Sequence, residues 1–221
     1  MKNLLPTLLF AILMYSCSAT PAATKEIKYF DEDDNQITKT KFDEIRATHK
    51  FLDVPGDSMN HKKLIFRVNR GNISSRPALQ SLIEKAINEK LDDSKPLVII
   101  FHPGEDECNS SRLTGQTFLR NRFRELEDGV NKIAQTKPIY VYKNDTGLRK
   151  YKGIVNWHKD PAGTIERLFF QNHYPCSSFV VISKEGHFIS YFGEFYKTQV
   201  FQAIQNVANE ECFQSENTLA N

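Results

Sequence analysis

The chain has 221 residues, with 29 Lys+Arg against 27 Asp+Glu, 40% hydrophobic and 25% charged. That is long and apolar enough to bury a core without disulfide support, and it excludes an intrinsically disordered chain. A formal charge of +2 gives no reason to expect nucleic acid, and four cysteines are too few for a disulfide scaffold, so their positions matter more than their number.

Lys2 followed by the apolar stretch over 4–15 reads as a secretory signal, too short to span a bilayer. Within it, Leu13-Met14-Tyr15-Ser16-Cys17 resembles the lipobox of bacterial lipoproteins. That resemblance implies a signal peptide over 1–16, lipidation of Cys17, a polar tether over 17–24, and a membrane-anchored protein of the cell envelope facing the periplasm. Ordinary cleavage near Ala19 or Ala23 is the other reading; it discards Cys17 and secretes the chain. Both routes lead to a compartment where disulfides persist.

Residues 25–62 read as an N-terminal extension. A short strand over 27–30 runs into the acidic turn Asp31-Glu32-Asp33-Asp34-Asn35, and Thr38 caps a helix with Ile37 and Phe42 as a hydrophobic staple. The Asp31, Asp33, Asn35 spacing resembles an EF-hand loop, but Gln36 stands where the loop needs Gly and Phe42 where it needs Glu. A solvated turn is the better reading. A strand is expected over 63–68, ending before Gly71.

Beyond Gly71 the periodicities strengthen. Ser75 and Pro77 open a helix with Leu79, Leu82, Ile83, Ala86 and Ile87 on one face. Residues 97–101 are apolar on both faces, as a strand covered by helices on each side must be. A second helix carries Leu119, Phe123, Leu126, Val130 and Ile133, followed by a strand over 138–142. Asp160-Pro161 caps a shorter helix with Ile165, Leu168 and Phe169 inward. Strands over 179–182 and 187–191 flank Lys184-Glu185-Gly186 as a hairpin, and a last helix presents Val200, Phe201, Ile204 and Val207 before a polar tail over 209–221.

From residue 63 the order is strand, helix, strand, helix, strand, helix, hairpin, helix, with a cysteine-bearing loop after the second strand. Over 63–208 this resembles the thioredoxin-like fold, which implies a three-layer α/β/α sandwich around a mixed central sheet. The resemblance also implies a reactive cysteine at the start of the second helix, where backbone N–H groups favour thiolate. Cys108-Asn109-Ser110-Ser111 matches a Cys-x-x-Ser version of that motif, with Ser111 where a resolving cysteine would stand. Pro175 is the candidate for the family's cis-proline, and Cys176 then lies at the same end of the sheet as Cys108.

Two functions fit. One is thiol–disulfide exchange through Cys108 and Cys176, acting on protein thiols or a peptide partner, with His102 and His173 as weaker candidates for a base or proton relay. The other is a noncatalytic binding or structural lipoprotein stapled by a Cys108–Cys176 disulfide. Glu105, Asp106 and Glu107 directly precede Cys108 and oppose thiolate formation, which favours the second. Cys212 follows the last helix, away from that end of the sheet. Trp157 with Tyr174 and residues 192–195 forms either an aromatic rim or ordinary core. His49, His61, His158 and His187 share no metal-ligand spacing and no Gly-rich phosphate loop is present, so neither a metal nor a nucleotide cofactor is expected.

Overall fold

The structure, a computed structural model, describes residues 26–110 and 115–219, the segment 210–219 by its backbone alone. The expected signal peptide, Cys17 with its tether, and Ser111 lie outside the described residues, as does the side chain of Cys212.

The N-terminal part forms a small mixed sheet of β1 (Lys28–Phe30), β2 (Gln36–Ile37), β3 (Phe51–Pro55) and β4 (His61–Phe66), in the order β2-β1-β4-β3. Its helix α1 (Lys39–Arg46) starts where expected, with Thr38 Oγ1 accepting from the Lys41 N–H at 3.2 Å. The acidic segment is a closed turn, in which Asp31 Oδ1 accepts from the Asp33 and Asn35 N–H groups.

The second sheet has six strands: β5 (Val68–Asn72), β6 (Leu97–His102), β7 (Ile139–Tyr142), β8 (Trp157–Lys159), β9 (Ser178–Ile182) and β10 (His187–Tyr191), in the order β5-β10-β9-β6-β7-β8. β6, β7 and β8 run parallel; β9 is antiparallel to β6, and β10 pairs antiparallel with both β9 and β5. Alternation along β6 sends its side chains to two cores. Leu97, Ile99 and Phe101 meet Leu79 and Ile83 of α2 (Arg76–Ile87) and Ile165 and Phe169 of α4 (Thr164–Phe169). Val98 and Ile100 meet Leu126 and Val130 of α3 (Gln116–Ala134) and Val200 and Ile204 of α5 (Lys197–Leu219). The chain is therefore a mixed α/β protein with helices on both faces of its larger sheet.

Several expectations are corrected. The single strand expected over 63–68 is two strands in different sheets, broken at Arg67, whose N–H donates to Lys50 O while its own carbonyl accepts from the Phe192 N–H. Gly71 lies inside β5 rather than after it, because it pairs with Phe188 of β10; a Cβ there would sit 2.8 Å from the Phe188 ring. The boundary expected after residue 62 falls within β4, and Leu52 and Val54 of β3 belong to the α2/α4-side core. The helix expected to start at Cys108 begins at Gln116 instead. Helix α5 continues to Leu219 through the segment read as a polar tail. No peptide bond among the described residues is cis, so Pro175 is trans. None of the described helices is long and apolar enough to cross a membrane.

The loop after α2 is tied down by Glu84, whose carboxylate accepts from Lys90 Nζ at 2.6 Å, Gln80 Nε2 at 2.9 Å and the Leu91 N–H at 3.0 Å. These bonds, Lys90 foremost, hold its pKa down at about 2 against an ordinary 4.5. A depressed carboxylate pKa contributes stability that is fully present above the unfolded value and lost as pH falls through the folded one. Acid titration of stability should thus show a loss between 4.5 and about 2 that Glu84→Gln flattens; equal slopes in both proteins would remove Glu84 from the account.

Candidate functional site

The site forms where three connections meet at one end of the larger sheet: the loop after β6, the loop before β9 and the turn after β10. Cys108 in the first and Cys176 in the second are joined by a disulfide, 68 residues apart in sequence and 5.1 Å apart at Cα. Cys108 is exposed and Cys176 half-buried.

The two loops are also tied by side chains that do not involve sulfur. Asp106 Oδ1 accepts from the Asn109 N–H at 2.9 Å, and Asn109 Oδ1 accepts in return from the Asp106 N–H at 3.1 Å. From this reciprocal pair, Asp106 Oδ2 accepts from the Cys176 N–H at 2.8 Å, and Asn109 Nδ2 donates to Cys176 O at 3.1 Å and to Gly104 O at 2.8 Å. Both backbone groups of Cys176 are therefore held by the other loop. That grip maintains a left-handed backbone at Cys176, φ +68°, which costs a non-glycine residue on the order of 1–2 kcal/mol. Of the three acidic residues before Cys108, Asp106 serves this structural role, while Glu105 and Glu107 are exposed.

The disulfide lies in the wall of a cleft of about 700 Å³. Phe118, Phe123, Tyr151, Trp157, Phe195 and Tyr196 line it, with Phe118 and Tyr196 well exposed. Trp157 is the hub of the floor, its ring 5.3 Å from Tyr140, 5.6 Å from His102 and 5.8 Å from Tyr151. The expected rim is thus divided. Trp157 and Phe195 border the cleft, whereas Tyr174 and Phe192 stack on each other 4.3 Å apart in the core on the opposite face. Lys150 also lines the cleft; its Nζ donates to Asn109 O, and burial lowers its pKa from the ordinary lysine value.

The histidines have other places. His102 is fully buried, its Nε2 is 2.9 Å from Thr146 O, and desolvation pushes its pKa below the usual histidine value. Thr146 Oγ1 in turn accepts from the Glu105 N–H at 2.9 Å, so His102 anchors the base of the cysteine loop. His173 is exposed, with Nε2 3.4 Å from Asp106 Oδ2.

No family model, curated protein or solved structure matches the chain.

A third side chain reaches the sulfurs. Glu194, in the turn after β10, brings a carboxylate oxygen within 4.8 Å of Cys108 Sγ and Cys176 Sγ. The preceding Gly193 adopts φ +76°, where a Cβ would meet Leu52 Cδ1 at 3.1 Å and Pro175 O at 3.4 Å. Gly193 N–H donates to Ser178 Oγ at 3.0 Å and Arg67 Nη1 donates to Glu194 O at 3.1 Å, which fixes the turn that carries the carboxylate. Sequence reasoning included residues 192–195 only as an aromatic rim and passed over Glu194, Asp106, Asn109 and Lys150 as site residues. Asp106 and Asn109 sat in local patterns that gave other roles, an acidic run and a Cys-x-x-Ser motif, Glu194 and Lys150 in none, and only pairing across the sheet end reveals what they hold.

Proposed function

We propose that the protein is a lipid-anchored, thioredoxin-like protein of the cell envelope that exchanges thiols and disulfides through Cys108 and Cys176. The observation that carries the reading is a solvent-accessible disulfide in the wall of an aromatic cleft, between loops that Asp106 and Asn109 hold together without it. Exposed disulfides are the labile and catalytic ones, and preset loops let the bond open and close with little rearrangement. The thioredoxin-like assignment is supported by the parallel β6-α3-β7 unit beside the antiparallel β9-β10 hairpin and by the cysteine loop after β6. The envelope address is supported by the leader and by the oxidising compartment that a disulfide requires.

In the reduced protein the exposed Cys108, as thiolate, attacks one sulfur of a partner's disulfide and forms a mixed disulfide, releasing the partner's other sulfur as a thiolate. Cys176 then attacks Cys108 Sγ, closing the intramolecular bond and releasing the second partner sulfur. The protein gives up two electrons, and the partner's two sulfurs take them and become thiols on protonation. Lys150 contributes positive charge beside Cys108, and the aromatic walls suit a peptide segment bearing the disulfide.

The start of α3 at Gln116, well after Cys108, removes the helix dipole as a source of thiolate and favours a second reading, a structural staple in a noncatalytic scaffold. One measurement separates them. The full chain is equilibrated in thiol buffers of graded potential, alkylated, and the states of Cys108 and Cys176 mapped by mass spectrometry. Exchange predicts a midpoint above about −300 mV; a pair still oxidised below that value supports the staple and ends the exchange reading.

A further inference from the structure

We propose that the reduced protein binds a zinc-type divalent cation through Cys108 Sγ, Cys176 Sγ and a carboxylate oxygen of Glu194. The proposal rests on the disulfide being reducible, as the exchange reading does, but needs no particular potential. The three ligand atoms lie within 4.8 Å of one another although they come from three separate connections. Zinc–sulfur bonds of about 2.3 Å and zinc–oxygen bonds of about 2.1 Å separate ligands around one ion by roughly 3.5–4 Å, so once the disulfide is opened the two sulfurs part from bonding distance and the Glu194 carboxylate draws in slightly to complete the set.

The backbones are held for it. Asp106 and Asn109 fix the position of Cys176 relative to the Cys108 loop, and Arg67, Ser178 and the left-handed Gly193 fix the Glu194 turn. Two thiolates and a carboxylate place three negative charges together, which a divalent cation offsets. Thiolate ligands select zinc over magnesium or calcium. Three protein ligands leave a fourth position on the cleft side, the arrangement of an open rather than a closed zinc site.

Binding is gated by oxidation state, because sulfurs bonded to each other offer no thiolate. A dithiol reductant supplies two electrons and two protons and leaves as its own disulfide, freeing Cys108 and Cys176 as thiols. The cation then displaces one proton from each.

The test uses cobalt(II) as a spectroscopic probe of the zinc site. The full chain is reduced with excess dithiol, desalted without oxygen and titrated, with thiols at Cys108 and Cys176 verified by alkylation. Expected are a saturable thiolate-to-cobalt charge-transfer band at one cobalt per chain, its loss on adding zinc, and no band from the oxidised protein. Glu194 is exposed, so Glu194→Gln should fold normally and bind on the order of tenfold more weakly, while Cys108→Ser should lose the band. The proposal is overturned if both thiols are free and no band forms, if Glu194→Gln binds as wild type does, or if the band survives in Cys108→Ser. A band together with a midpoint below the exchange range overturns the exchange reading alone. A disulfide that resists excess dithiol overturns both.

Discussion

Reducing the Cys108–Cys176 disulfide is expected to lower folding stability by about 2–4 kcal/mol while leaving the native fold in place. With the cysteines 68 positions apart in sequence, loop-closure entropy in the unfolded chain alone gives about 4 kcal/mol at room temperature. Residual structure in the unfolded chain reduces that value. The native side of the balance changes little, since both backbone groups of Cys176 remain hydrogen-bonded to Asp106 and Asn109 after the sulfurs part. Urea unfolding with and without a dithiol reads the difference directly. Global unfolding on reduction would mean that the disulfide, rather than the Asp106–Asn109 pair, holds the site together. An exchange cycle requires a reduced state that is folded, so this experiment tests a precondition of the proposed function.

Phe179→Ala should cost about 3–5 kcal/mol and also damage the cleft. Phe179 is 1% exposed on β9, stacked on Tyr191 with centroids 5.5 Å apart and meeting the Phe195 edge at 5.0 Å. Its removal leaves a cavity beneath Phe195, one of the residues that wall the cleft. Tyr196, next in sequence to Phe195 and also lining the cleft, is 77% exposed, and Tyr196→Ala should change stability by no more than about 0.5 kcal/mol. Denaturant unfolding of the two variants tests the contrast. A loss below about 1 kcal/mol for Phe179→Ala would mean that the site collapses around the missing ring and that Phe195 does not depend on it.

Most elements of the larger sheet and its helices that bury a face were legible in sequence, whereas β3 of the smaller sheet was not, although Leu52 and Val54 alternate toward the core. β6, β7, β9 and β10 carry the apolar runs and alternations from which they were read, and α2 starts at the Ser75 cap, whose Oγ accepts from the Ala78 N–H at 3.3 Å. Strands of the larger sheet without a buried residue were not legible. All five residues of β5 are exposed, and it exists because β10 supplies its hydrogen bonds. β8 has only three residues, and its pairing with β7 is what makes it a strand. The break at Arg67 was likewise hidden, because it depends on partners at Lys50 and Phe192 that are distant in sequence.

The candidate site divides in the same way. The resemblance read from element order implied that Cys108 and Cys176 lie at one end of a sheet, and the structure joins them there. The same resemblance set Cys108 at a helix N-terminus and offered Pro175 as the cis-proline candidate, and both depended on loop geometry that local residues do not encode.

The opening composition excluded disorder and gave no reason to expect nucleic acid, and hydrophobic periodicity was sufficient for the α/β class, because patterning is a local property of the chain. What joins Glu194 to the two sulfurs, turns Asp106 from a charge opposing thiolate into a clamp on Cys176, and opens an aromatic cleft beside them is contact between residues far apart in sequence. Such contacts form only when the sheet is assembled, and so only the tertiary structure decided them.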